Sequence, residues 1–143
     1  MKALVTGSAG FVGHHLVAHL GECGDDVATT DRADGGPDLL DGPSLAQMVS
    51  AERPEVVFHL AGQADVRHSW DDPLGTLRTN VEGTLNVLTA ARVAGVDRVV
   101  TVTSADVYGA VAAEDLPVAE KTPMRPVSPY AASKAAADVL ALQ

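Results

Sequence analysis

The chain has 143 residues, 46% of them hydrophobic, and a net charge of -9, which fits one globular domain and argues against a disordered segment. The acidic balance argues against nucleic acid or an anionic membrane surface as a partner, because both are bound through clustered Lys and Arg. A single cysteine, Cys23, rules out an intramolecular disulfide and leaves no basis for a thiolate metal cluster; no metal is expected.

Strand and helix alternate along the chain, which predicts a parallel sheet covered on both faces. The first strand lies in Lys2–Thr6, followed by the turn Gly7–Gly13 and a helix to about Gly21. With no apolar leader before that strand and no run of transmembrane length, the chain is expected in the cytoplasm. Val27–Thr30 makes a second strand with Asp31 at its end, Asp38–Gly42 a loop, and Pro43 and Ser44 open a short helix to about Ala51. The run Val56–Leu60 reads as a strand buried on both faces. Asp72 caps a long helix, Pro73 fits its first turn and Gly95 its end. Between them Leu74, Leu77, Val81, Leu85 and Leu88 make one apolar stripe. Arg98–Thr103 is the fourth strand, Ala105–Val127 a long loop without period, and Ser128 and Pro129 open an Ala-rich helix to the end. The fold class is α/β, a Rossmann-type doubly wound parallel sheet over 1–143. Four strands, against six in the order 3-2-1-4-5-6, leave it incomplete on its C-terminal side, with the fourth strand as an apolar edge.

Thr6–Gly13 carries glycines at 7, 10 and 13. Gly7 lets the chain turn out of the strand, Gly10 lets backbone N–H groups approach a pyrophosphate, and Gly13 lets the helix pack closely. The helix N-terminus adds free donors and a partial positive charge. Phe11 and Val12 fall in the same segment. A glycine triplet alone is weak evidence; this one follows a strand, opens a helix, and is succeeded by Asp31, where a carboxylate can bind the adenosine ribose. That carboxylate repels a 2′-phosphate and favours NAD, whereas Arg32 beside it can receive one, so NADP stays open.

Tyr130 and Lys134 are four apart on the last helix and share a face. A free phenol ionises near pH 10, so a Tyr base near neutrality needs about 4 kcal/mol of anion stabilisation, which a nearby ammonium and an oxidised nicotinamide supply. Ser104, after the fourth strand, can hold the oxygen of a reacting carbon; by itself a serine there is usually a turn or cap residue. Trp70 and Tyr108 read as packing residues, Arg67 as a solvated charge or a sugar ligand, and His14 and His15 as structural.

These segments, with Asp38-Leu39, His59–Gln63, Asn80–Thr84, Thr103–Gly109 and Ser128–Lys134 in the same order, resemble the extended short-chain dehydrogenase/reductase family of nucleotide-sugar epimerases, dehydratases and reductases. The resemblance spans almost the whole chain. It implies that Asp38 and Leu39 contact adenine, that Leu60, Ala61 and Gly62 line the cofactor beside the pyrophosphate with Val102 further along, and that Asn80 supports the nicotinamide end. Ser104, Tyr130 and Lys134 would form the catalytic set. It also implies a homodimer, with the helices of Pro73–Ala94 and Ser128–Gln143 forming a four-helix bundle through Ala131, Ala132, Ala135 and Ala136.

Asp106 stands where 4,6-dehydratases of that family carry Glu, and Ala105 where the dTDP-glucose enzymes carry Asp, so the elimination machinery looks incomplete. The segments Ser104–Gly109 and Ala61–Gln63 are most similar to bacterial GDP-4-keto-6-deoxymannose reductases. The expected chemistry is hydride exchange at C4 of a nucleotide-linked hexose; 4-epimerisation and 4,6-dehydration are the alternatives. The family's C-terminal region, which provides most contacts to the substrate nucleotide, is not in this sequence. A dinucleotide-binding chain without turnover is the reading of another class.

Overall fold

The computed structural model describes all 143 residues. Four parallel strands, β1 (Lys2–Thr6), β2 (Asp26–Thr30), β3 (Val56–His59) and β4 (Arg98–Thr101), stand in the order β2-β1-β3-β4. Parallel neighbours need crossover connections, and helices supply them: α1 (Phe11–Glu22), α2 (Gly42–Glu52), α3 (His68–Asp71), α4 (Pro73–Leu77), α5 (Gly83–Ala94) and, after β4, α6 (Pro129–Ala141). The chain leaves β1 to one side for β2 and returns across it to β3, so β1 is the point where the direction of winding reverses. The β2–β3 connection holds a 3-10 turn (Arg32–Asp34) and α2 but no strand, so β2 and β4 are both edges.

Side chains alternate between the two faces of each strand. Leu4 and its partner Val57 are fully buried against Leu45 and Val49 of α2 and Val87, Ala90 and Ala91 of α5. Ala3, Val5 and Val56 turn the other way, onto Leu16, Val17 and Leu20 of α1. Only α1 covers that second face, and on edge strand β4 Val100 is 39% exposed.

The long helix expected over Pro73–Ala94 is present, but a π turn (Arg78–Glu82) interrupts it between α4 and α5. Asp72 caps it by accepting the Gly75 N–H, and Gly95 ends it at φ 73°. Three members of its apolar stripe face outward: Leu74 is 67% exposed, and Leu77 and Leu85 are exposed as well, while Val81 and Leu88 are half-buried. The buried face carries Thr76, Asn80, Thr84, Val87, Ala90 and Ala91 instead. From Thr76 to Thr84 the interior side of this helix meets polar groups, so small and hydrogen-bonding residues fit there where leucines would not, whereas Val87, Ala90 and Ala91 continue into the apolar core. On α6, Ala131 is fully buried within the chain and unavailable to a partner, while Ala132 is exposed. Two 3-10 turns, Ala105–Tyr108 and Ala113–Asp115, lie within the stretch the sequence predicts as a loop, and the short helix α3 lies where the sequence predicts no element. Strands β3 and β4 end at His59 and Thr101, one and two residues earlier than their apolar runs.

Leu4→Ala leaves a cavity between β1, α2 and α5 that neighbours on three elements cannot all close. A loss of about 3 kcal/mol is expected in chemical denaturation.

Candidate functional site

The turn out of β1 forms the floor of a cleft. Gly7 has φ 73°, and a Cβ there would lie 2.6 Å from the Ala61 nitrogen at the exit of β3. A Cβ on Gly13 would run into the Gly7 carbonyl and Ser8, so Gly13 lets α1 close on the glycine loop itself rather than on the sheet. Gly10 is the N-cap residue of α1 and has no side-chain cap, which leaves first-turn N–H groups for an anion.

The cofactor residues expected from Gly7 through Gly62 all line one cleft of about 620 Å³, over the C-terminal ends of β1, β2 and β3. They are Gly7, Gly10, Phe11, Val12, Gly13, Asp31, Arg32, Asp38, Leu39, Leu60, Ala61 and Gly62. Asp31 ties two parts of that wall together: one carboxylate oxygen accepts the Ala9 N–H of the glycine loop (3.2 Å), the other the Ala33 N–H of the turn after β2 (2.8 Å). Arg32 is 83% exposed on the rim and meets Asp38 in a single 3.5 Å contact. Leu39 is held from behind by Asn86 Nδ2 on its carbonyl and by Gly83, where a Cβ would lie 2.8 Å from the Leu39 Cβ.

The remaining candidates lie beyond that cleft. Pro129 at the first turn of α6 and Ser128, whose Oγ accepts the Ala131 N–H, start the helix that carries Tyr130 and Lys134. Lys134 Nζ donates to the Val102 carbonyl (3.1 Å) and lies 3.6 Å from where a Gly62 Cβ would be, so it stands between the exits of β3 and β4. Burial pushes its ammonium below the usual lysine range. Ser104 caps the turn Ala105–Tyr108 by accepting the Asp106 N–H (3.2 Å), which leaves its own proton free to donate. Asp106 is exposed.

Asn80 sits in the π turn, 2% exposed. Its amide accepts the Gln63 N–H (2.8 Å) and donates to the Gln63 carbonyl (3.0 Å) and to Ser133 Oγ (2.9 Å). It thereby joins the segment after β3 to α6. Behind it lies a buried polar layer formed by Thr6, His59, Thr84, Asn80 and Ser133. Sequence spacing does not group its members, because each is a common residue type and only the fold brings them together. The cleft also extends past Gly62 to Gln63, His68, Thr76 and Thr79. The buried Gln63 Oε1 there has no partner, while Gln63 Nε2 donates to the Asp65 carbonyl and Thr76.

A family model described as the NAD dependent epimerase/dehydratase family matches residues 3–143. The chain is 41% identical to the GDP-6-deoxy-D-mannose reductase of Pseudomonas aeruginosa, over 99% of the chain and 46% of that protein. It is 39% identical to the UDP-glucose 4-epimerase of Mycolicibacterium smegmatis, over 97% of the chain and 50% of that protein. With the dTDP-glucose 4,6-dehydratase of Mycobacterium tuberculosis it shares 35%, over 98% of the chain and 47% of that protein. Among solved structures, RMD of Pseudomonas aeruginosa complexed with NADPH superposes with a TM-score of 0.86 at 41% identity, covering 99% of this chain and 48% of that one. The Thermus thermophilus UDP-glucose 4-epimerase complex with NAD gives 0.89 at 38%, covering 98% and 49%. The chain spans about half the length of the curated relatives it matches.

Burial, and next to it the Lys134 charge, lowers the pKa of His59 from 6.5 to about 4. The unfolded chain therefore binds a proton that the folded chain refuses. The contribution of neutral His59 is complete above about pH 6.5 and is lost as pH falls toward 4. Over that window about 3 kcal/mol of stability should disappear, read as a fall in unfolding midpoint between pH 6.5 and 4 together with an NMR midpoint for His59 near pH 4.

Proposed function

The chain belongs to the NAD-dependent epimerase/dehydratase family, and from that premise we propose that residues 1–143 form the NAD(P)-binding Rossmann domain of a nucleotide-sugar oxidoreductase acting at C4 of a nucleotide-linked hexose. The observation that carries this reading is the join between the two halves of the site. The glycine cradle and the segment Leu60–Gly62 share one cleft, and Lys134 lies against Gly62 at its far end.

The residues fit a dinucleotide. A side chain at Gly7 would collide with Ala61, and the first turn of α1 offers unpaired N–H groups to a pyrophosphate. Gly7–Gly13 would hold the pyrophosphate, Asp31 the ribose of the adenosine, Asp38 and Leu39 the adenine, and Lys134 the nicotinamide ribose. The nicotinamide supplies hydride acceptor and donor chemistry when bound. Tyr130 moves the proton of the C4 hydroxyl, Ser104 donates to that oxygen, and the Lys134 ammonium favours the ionised phenol.

Within the family, reduction of a GDP-linked 4-keto-6-deoxyhexose fits best, because Ala105 and Asp106 replace the acid pair expected of a dTDP-glucose dehydratase, and the 41% relative is a reductase. The 39% relative makes 4-epimerisation the second reading. The outward leucines of α4 and α5, with the exposed Val139 on α6, support a homodimer through a four-helix bundle.

Incubating the full-length enzyme with the GDP-linked 4-keto-6-deoxy sugar and reduced cofactor should yield the 4-hydroxy sugar by NMR. Water loss from GDP-mannose, without reduction of the 4-keto sugar, would defeat the reductase reading. Tyr130→Phe should abolish turnover and leave NAD affinity nearly intact; a protein that only senses dinucleotide has no turnover to lose. Asp38→Asn frees Arg32 from an exposed pair worth up to about 1 kcal/mol, so NADP affinity should rise about 3- to 5-fold relative to NAD in a titration.

A further inference from the structure

The buried layer behind the cleft is a chain of hydrogen bonds whose direction is forced from one end, at the Asn80 carbonyl. At one end the Ala61 N–H, which only donates, meets Thr6 Oγ1 at 3.3 Å. At the other end the Asn80 carbonyl, which only accepts, meets Thr84 Oγ1 at 2.6 Å. Thr84 has one hydroxyl proton and spends it on Asn80, so toward His59 Nε2 (3.1 Å) it acts as acceptor. Nε2 therefore carries the imidazole proton. Nδ1 is left with its lone pair, and Thr6 Oγ1 donates to it at 2.8 Å. Thr6, His59 and Thr84 are each no more than 3% exposed, so no solvent can substitute for a missing partner.

The chain continues into the site. The same Asn80 clamps both backbone groups of Gln63 and donates to Ser133 Oγ, and Ser133 donates to the Tyr130 carbonyl at 2.7 Å. We propose that His59, locked as its Nε2–H tautomer, is a positioning residue: it fixes the π turn at Asn80 and thereby the placement of Tyr130 and Lys134 relative to Ala61–Gln63. His59 touches neither the cleft nor a reacting atom; it acts through Thr84 and Asn80. This rests on the cofactor reading given above only for its consequence on NAD binding.

Long-range ¹⁵N–¹H NMR of the ¹⁵N-histidine-labelled chain, without ligand, should show His59 with a protonated Nε2 and a bare Nδ1. Thr84→Val keeps the shape and removes the acceptor; it should release the tautomer, move the Lys134 Nζ resonance and weaken NAD binding at least fivefold. Thr84→Ser, which keeps the hydroxyl, should restore all three. An Nδ1–H tautomer in the wild type would overturn the proposal. So would a folded Thr84→Val chain with unchanged Lys134 and NAD signals, or a Thr84→Ser chain that behaves like Thr84→Val. If Thr84→Val does not fold, the wild-type tautomer and the Thr84→Ser signals decide. If the wild type binds no NAD, the cofactor reading fails, whereas the tautomer and Lys134 signals still judge His59.

Discussion

The main chain leaving β1 at Gly7 passes the main chain leaving β3 at Ala61 so closely that no side chain fits between them, and the geometry of the cleft follows from this approach. It brings the pyrophosphate cradle beside Leu60–Gly62, two segments distant in sequence that face each other because their strands are neighbours. A parallel sheet makes such a meeting possible, since all its strands release their loops at the same end. The winding reverses at β1, so α1 and α2 lie on opposite faces and the cleft opens between them. A Cβ at Gly7 would push these two exits apart and would also require a backbone conformation that L residues rarely adopt.

The second constraint is polar. Thr6, His59, Asn80, Thr84 and Ser133 fill the space between the strand ends and two helices, where a hydrophobic core would ordinarily continue. An unpaired polar group is costly there, and each of these five side chains is hydrogen-bonded. The arrangement gives up some non-directional packing and gains a fixed register between sheet and helices. Apolar contacts slide by an ångström at little penalty; hydrogen bonds of this kind do not.

Much of this was legible in the residues. The strands, the glycine turn, the caps at Asp72 and Ser128 and the stop at Gly95 have local causes, and local causes leave local marks. The cleft from Gly7 to Gly62 was legible too, because its parts are consecutive with strand ends. The leucine stripe of α4 and α5 was visible as a pattern, but its direction was not. Periodicity identifies a face and says nothing of what that face or its opposite will meet, and the polar layer is built from four separate stretches, at Thr6, His59, Asn80–Thr84 and Ser133. The π turn at Arg78–Glu82 escaped for the same reason: its cause is the reach of Asn80 toward Gln63 and Ser133, both distant in sequence. Lys134 against Val102 and Gly62 likewise exists only once β3, β4 and α6 are assembled.

The outward leucines of α4 and α5 turn the usual map of tolerance inside out. Along this helix, hydrophilic replacements at Leu74, Leu77 or Leu85 leave the folded chain intact, while greasy replacements at Thr76, Asn80 or Thr84 damage it. Divergent copies of this segment would therefore keep their alcohols and amide and vary their leucines for as long as nothing else presses on that surface. A tally of hydrophobicity retained across variants would misplace the inner face of the helix from Thr76 to Thr84 and find it correctly only at Val87, Ala90 and Ala91.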